Sequence, residues 1–267
     1  MNILDTNSKD LYPSTFDGLL KLVDRLRSPN GCPWDRQQTR ETFRNHFLEE
    51  AYELIDALDS GDSESICEES GDVLLHIAFQ IQLARESGSF SGKQVLENVI
   101  SKLINRHPHV FQNVNLKDEA HLLRNWDEIK KREKPNRNYS SILDGMPKAM
   151  PSLSLSQKIQ TRVSRANFDW ENLDGVLNKI GEEINEFRQS KTDSQKEHEL
   201  GDILFSIVNF CRWNDVDAES ALRKSNNRFT KRFKFIEKTC LDSGKVVNDL
   251  SVKQQNELWE KAKREID

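Results

Sequence analysis

Two stretches decide the fold: LEEAYEL at 48–54 followed by EESGDVLLHIAF at 68–79, and GEEINEF at 181–187 followed by HELGDILFSIVN at 198–209. Each stretch spaces apolar residues at helical intervals and carries two carboxylates three residues apart. Each pair of stretches is joined by a short polar break, SGDSES in the first and a lysine-bearing loop in the second. The spacing therefore predicts two helical hairpins, each with antiparallel helices.

Working outward, FDGLLKLVDRLR at 16–27 predicts a helix with Phe16, Leu19, Leu20, Val23 and Leu26 on one side. The segment SPNGCPWD reads as turns. Helices are expected over 40–59, with Phe43, Phe47, Ala51, Leu54, Ile55 and Leu58 as the apolar stripe, and over 64–87, with Val73, Leu74, Ile77 and Ile81 inward. A further helix is expected over about 93–106. Residues 133–152 (EKPNRNYSSILDGMPKAMPS) hold three prolines and several turn formers, which makes them the expected linker. No proline follows Pro151, and the remainder should be helices and loops.

The two halves repeat in one order. KLINRHPHVF at 102–111 matches KSNNRFTKRF at 224–233, and WDEIK at 126–130 matches WEKAK at 259–263. The expected architecture is all-α, with two tandem helical-bundle modules: 16–132, the linker 133–152, and 153–267. A shared scaffold alone would repeat apolar core positions. The recurrence of acids and bases at the same offsets points to a polar site in the ancestral module.

The carboxylates are Glu50, Glu53, Glu69 and Asp72 in the first module, and Glu183, Glu186, Glu199 and Asp202 in the second. Helical residues three apart share a face, with Cβ atoms roughly 5–6 Å apart. Antiparallel packing can bring the two pairs of a module together. Gathered acids repel unless a cation lies between them. An all-oxygen ligand set suits Mg²⁺, with Mn²⁺ as the second choice. For any single pair, a solvated acidic helix face is the plain alternative. A di-iron bundle would place His three residues after Glu. Asp72 and Asp202 stand there instead, and His76, one turn on, is replaced by Ser206 in the second copy.

Lys224 and Arg228 share a helix face, as do Lys102 and Arg106, and such cations suit phosphate oxygens. Trp259 with Lys263, and Trp126 with Lys130, are paired in the same way; a tryptophan there can stack on a base or close the core. Lys179 lies one turn before Glu183, whereas His46 precedes Glu50. That extra cation favours the second module as the reactive one. GxxxxGK[ST], GxGxxG and GxSxG are all absent.

Net charge is −5, which argues against direct nucleic-acid binding. Cys32, Cys67, Cys211 and Cys240 form no CxxC pair, and the N-terminus has no signal-like apolar run. A cytoplasmic protein without membrane contact is expected.

The two ExxE…ExxD quartets, GCPWD at 31–35, ANFDW at 166–170 and LGD at 200–202 resemble MazG-type nucleoside triphosphate pyrophosphohydrolases, over about residues 16–265. The resemblance implies an all-α homodimer that uses Mg²⁺ to cleave nucleoside triphosphates between the α- and β-phosphates. It implies metal ligands at Glu183, Glu186, Glu199 and Asp202. It also implies catalysis in the C-terminal module, with substrate contacts at Lys179, Lys224, Arg228, Trp259 and Lys263. A nucleotide-sensing protein without catalysis, and a helical scaffold with vestigial sites, are the competing classes.

Overall fold

The computed structural model describes residues 11–111 and 141–266. The described residues are helical, without strands, and the chain divides into two compact units, residues 1–135 and 136–267. Trp126, Lys130 and residues 133–140 of the expected linker lie outside the described residues. No described helix is long and apolar enough to cross a membrane.

The N-terminal unit comprises α1 (Phe16–Arg27), α2 (Pro33–Gln37), α3 (Arg40–Ser60), α4 (Ser63–Glu86), α5 (Gly92–Arg106) and α6 (Pro108–Phe111). Capping sets its borders. Thr39 and Thr42 form a reciprocal capping box that starts α3. Gly61 ends α3 in the left-handed region at φ 73°, and Asp62 then accepts the N–H groups of Glu64 and Ser65 to start α4. Two residues thus reverse the chain, and α3 and α4 pack along their length.

Helix α1 packs on α4. Arg27, with its side chain 7% exposed, grips Glu86 through two 2.8 Å contacts and donates to the backbone carbonyls of Asp35 and Gln38. The planar fork of arginine suits this double role. The core is Val23, Phe43, Ala78 and Phe79, backed by Leu19, Leu20 and Leu75.

The C-terminal unit comprises α7 (Ser152–Ser164), α8 (Leu173–Gln189), α9 (Asp193–Trp213), α10 (Ala218–Asp242), a 3₁₀ turn (Val247–Asp249) and α11 (Val252–Ile266). Helices α8 and α9 form the hairpin, α7 packs on α9, and α10 touches both α7 and α9. Asn172 caps α8, and a Thr192–Gln195 capping box starts α9. Helices α10 and α11 pair around Ile236, Cys240 and Ala262.

Two readings of the sequence need correcting. SPNGCPWD does not stay irregular: Pro33, at the first position, opens the short helix α2. The inward stripe of α4 is rotated. Ala78, Phe79, Ile81 and Gln82 are buried, while Leu74 and Ile77 are exposed, as is Leu58 on α3. The same outward row recurs on α9 as Leu200, Leu204 and Ile207. Periodicity finds an apolar face but cannot tell which neighbouring element covers it.

Candidate functional site

Helix α8 brings Glu183 inward. Its side chain is 5% exposed, and its Oε1 lies 2.8 Å from Lys179 Nζ, one turn earlier. Lys179 also reaches Glu182 at 3.0 Å. These two bonds, the one to Glu183 foremost, raise the ammonium pKa well above its ordinary value, so the lysine is a fixed cation.

Glu199 and Asp202 face Glu183 from α9. One carboxylate oxygen from each of the three lies within 4.8 Å of the others. Glu186, one turn beyond Glu183, is more exposed. Its carboxyl is pushed up by desolvation first, then by the negative charges of Glu183 and Glu199. His198 Nε2 lies 3.4 Å from the Asp202 carboxylate. Converging carboxylates, one of them buried and another destabilised as an anion, fit a hard divalent cation.

A cleft of about 290 Å³ opens beside this cluster. Lys179, Glu183 and Asp202 form its charged end. Trp170, Val176, Phe205, Ser206 and Asn209 form the other, which combines apolar surface with a hydroxyl and an amide. Concave, largely apolar walls with a few convergent polar groups are characteristic of small-molecule sites.

Trp170 is held there by a clasp over long sequence distance. The Asp169 carboxylate accepts from Arg212 at 2.5 Å, from the Trp213 indole at 3.2 Å and from the Trp170 backbone N–H at 2.9 Å. Burial raises the Asp169 carboxyl, but these donors outweigh it and the net shift is downward. The Trp170 ring lies against Gly175. A Cβ added to that glycine would meet Trp170 Cε3 at 2.8 Å. The absence of a Cβ at Gly175 lets the ring approach this closely.

The N-terminal unit builds a similar cluster with different surroundings. Oxygens of Glu50, Glu69 and Asp72 lie within 4.8 Å of one another. Desolvation, and then the charges of Asp72, Glu53 and Glu69, push the Glu50 carboxyl up. Glu69 is likewise raised, by desolvation first and then by Glu53 and Asp72, and its Oε2 is buried without a hydrogen-bond partner among the described residues. Buried His76 places Nε2 3.7 Å from Glu50 Oε1, and its own pKa is lowered, chiefly by burial. His46 pairs with Glu49 at 3.0 Å and with none of the cluster's three carboxylates.

The structure thus gathers Lys179, Glu183, Glu199 and Asp202, with Glu186 adjoining. Lys224, Arg228, Trp259 and Lys263 do not line the cleft. Lys224 and Arg228 lie in the first half of α10. Trp259 is half-buried on α11, its ring 5.2 Å from Phe229 and capped by Arg232 at 5.5 Å. It packs against the Ile236–Cys240–Ala262 core. Lys263 pairs with Glu260 at 2.7 Å. Sequence reasoning missed Phe205, Ser206 and Asn209 as lining residues and gave Asp169 and Trp170 no role. The ANFDW motif was visible, but its partner Arg212, 43 positions away, carried no local signal.

A family model described as the MazG nucleotide pyrophosphohydrolase domain matches residues 38–111, which span α3 to α6. The nucleoside triphosphate pyrophosphohydrolase/pyrophosphatase MazG of Thermotoga maritima is 42% identical over 248 residues, covering 93% of this chain and 95% of its own. The nucleoside triphosphate pyrophosphohydrolase of Escherichia coli K12 is 38% identical over 259 residues, covering 94% and 98%. Bacillus subtilis YabN, whose function is uncharacterized, is 39% identical over 252 residues, 93% of this chain but 51% of its own. With this identity running almost end to end over both carboxylate hairpins, the chain belongs to the MazG family.

Proposed function

We propose that this chain hydrolyses nucleoside triphosphates to the monophosphate and pyrophosphate in the cleft between α8 and α9. The observation that carries the reading is the cleft's two-ended character. Buried Glu183, with Lys179 and Asp202, stands at one end, and Trp170 and Phe205 at the other. A polyphosphate chelating a divalent ion fits the first end, and a planar nucleobase fits the second. The names of the Thermotoga and Escherichia relatives agree.

Glu183, Glu199 and Asp202, joined by Glu186, would hold Mg²⁺, with Mn²⁺ as a substitute. Such an ion would neutralise charge on the phosphate oxygens and on the departing pyrophosphate. The residues supply the rest. A water oxygen attacks the α-phosphorus, the bond to the oxygen bridging the α- and β-phosphates breaks, and that electron pair leaves with pyrophosphate. One of these carboxylates, not fully committed to the ion, would take the water's proton, and Glu186, the most exposed of the four, suits that role. Lys179 stays charged beside the phosphate chain. Lys224, Arg228, Lys263 and Trp259 are proposed as further triphosphate and nucleotide contacts on the family resemblance. No covalent intermediate is required.

Three coarser features belong to the same reading. The chain is a tandem duplication, supported by the shared order of leading helix, carboxylate hairpin and following helix. It is a homodimer, supported by the outward rows Leu74–Ile77 and Leu200–Leu204–Ile207. It works in the cytoplasm, in keeping with four free thiols.

A panel of nucleoside triphosphates, incubated with the protein and Mg²⁺ and read by product identity, tests the activity. Monophosphate with pyrophosphate is expected. Diphosphate with orthophosphate would overturn the assignment of the broken bond.

A further inference from the structure

Helix α9 lines the cleft with Asp202 at the charged end and with Phe205, Ser206 and Asn209 beyond it. Asn209 stands about 10 Å along the helix axis from Asp202, at the rise of an α-helix. An asparagine amide can present either of two faces: its oxygen accepts, its Nδ2 group donates, and a half-turn about the last bond exchanges them.

Here that exchange is blocked. Arg212, one turn on, donates to Asn209 Oδ1 from Nε at 3.0 Å and from Nη2 at 2.8 Å. A guanidinium has donors only, so the amide atom that meets it is the oxygen, and the two bonds occupy both lone pairs. Turning the amide over would set donors against donors and forfeit two charge-assisted bonds.

Arg212 is itself held. Nη2 also donates to Asp169 at 2.5 Å, the guanidinium lies 5.8 Å from the Trp213 ring centroid, and the side chain is 16% exposed. Asp169 accepts from the Trp170 backbone N–H as well. The aromatic wall of the cleft and the Asn209 amide thus share one anchor.

Two polar side chains meet a base at this end. The Ser206 hydroxyl can rotate to donate or to accept, so it does not discriminate. Asn209 has only its Nδ2 donors left to offer. A purine with its sugar bond toward the carboxylates turns its opposite edge toward Asn209. A carbonyl at C6 accepts there, whereas the amino group of adenine donates.

We propose that Asn209, its amide oxygen held by Arg212, reads the outer edge of the base as a fixed hydrogen-bond donor, so that triphosphates of oxo-bases react in preference to those of amino-bases. The selectivity rests on the proposed function, because it takes the α8–α9 cleft as the nucleotide site. Asn209 is the specificity-determining residue, and Arg212 is a positioning residue that acts through it. An amino group on the base would leave two donors facing each other with neither satisfied.

The test compares ITP with ATP, whose bases differ at C6 and in the proton at N1. Pyrophosphate release with Mg²⁺ gives kcat/KM for each on the native protein, Asn209→Asp and Asn209→Ala. The native protein should favour ITP about ten-fold or more, the effect of a contact worth about 1.4 kcal/mol. Asn209→Asp keeps an acceptor for Arg212 but replaces the donor with an acceptor, so the preference should reverse toward ATP. Asn209→Ala removes the amide and should bring the ratio near one. Each ratio compares two substrates on one protein, so a general loss of stability or activity cancels. A native ratio near one would overturn the inference and leave the proposed function standing. So would an unchanged ITP preference in folded Asn209→Asp or, should that variant fail to fold, in Asn209→Ala. Pyrophosphate from neither substrate would overturn the proposed function and the inference with it.

Discussion

Lys179 Nζ lies 2.8 Å from Glu183 Oε1, one helical turn along α8, and the glutamate side chain is 5% exposed. A carboxylate so buried is stable as an anion only with a partner. The lysine supplies that partner in the ligand-free protein and remains beside the phosphate end of the cleft. Lys179→Met should therefore lower kcat/KM about ten-fold or more, the cost of losing one charge-assisted contact. Steady-state pyrophosphate release measures it. A variant within two-fold of the native protein would show that the lysine serves Glu183 alone.

Gly175→Ala places a methyl group 2.8 Å from the Trp170 ring. Trp170 is 44% exposed, so it can swing outward rather than strain the fold. Stability should fall by less than about 1 kcal/mol, below the usual overpacking cost, because the neighbour can move. KM should rise more than kcat falls. Kinetics paired with tryptophan fluorescence report both effects, and an unchanged KM would remove Trp170 from nucleoside binding.

Asp169 carries a pH signature. Its folded-state pKa is below the ordinary aspartate value, because the donors Arg212, Trp170 N–H and Trp213 outweigh burial. Its contribution to stability is therefore complete above the ordinary aspartate pKa and is lost as pH falls through and below that value. Asp169→Asn should lower Tm near neutral pH, with the gap to the native protein narrowing in acid. A gap that widens in acid would reverse the assigned shift.

Phe79 is 2% exposed and stacked on Phe43. Phe79→Ala should cost about 3–5 kcal/mol in urea unfolding, as expected for a large-to-small change in a packed core. A cost below about 1 kcal/mol would mean that the site collapses around the gap, and that the ring stack is not tightly packed.

Much of the fold was legible because it is local. The helices expected over 40–59 and 64–87 appear as α3 (Arg40–Ser60) and α4 (Ser63–Glu86), capped by Thr39 and Asp62. The carboxylate clusters were legible because i, i+3 spacing and a short turn leave few alternatives to convergence. What escaped was rotation and distance. Leu74 and Ile77 share an apolar spacing with Ile81 but face outward, since α1 covers another flank of α4. Arg212 meets Asp169 only through the packing of α9 beside the loop before α8. Phe43 and His76 read as one more core aromatic and one more histidine until their stacking shows what space they occupy.

The gathering of Glu183, Glu199 and Asp202 around one point is the feature on which the account depends. Its most direct measurement is Mg²⁺-dependent pyrophosphate release by Asp202→Asn beside the native protein, with folding of both confirmed by circular dichroism. The account predicts that the folded variant loses turnover to about one-hundredth or less, the scale of removing a group that acts on the transition state. A folded variant that releases pyrophosphate at the native rate, with the native Mg²⁺ dependence, would contradict it.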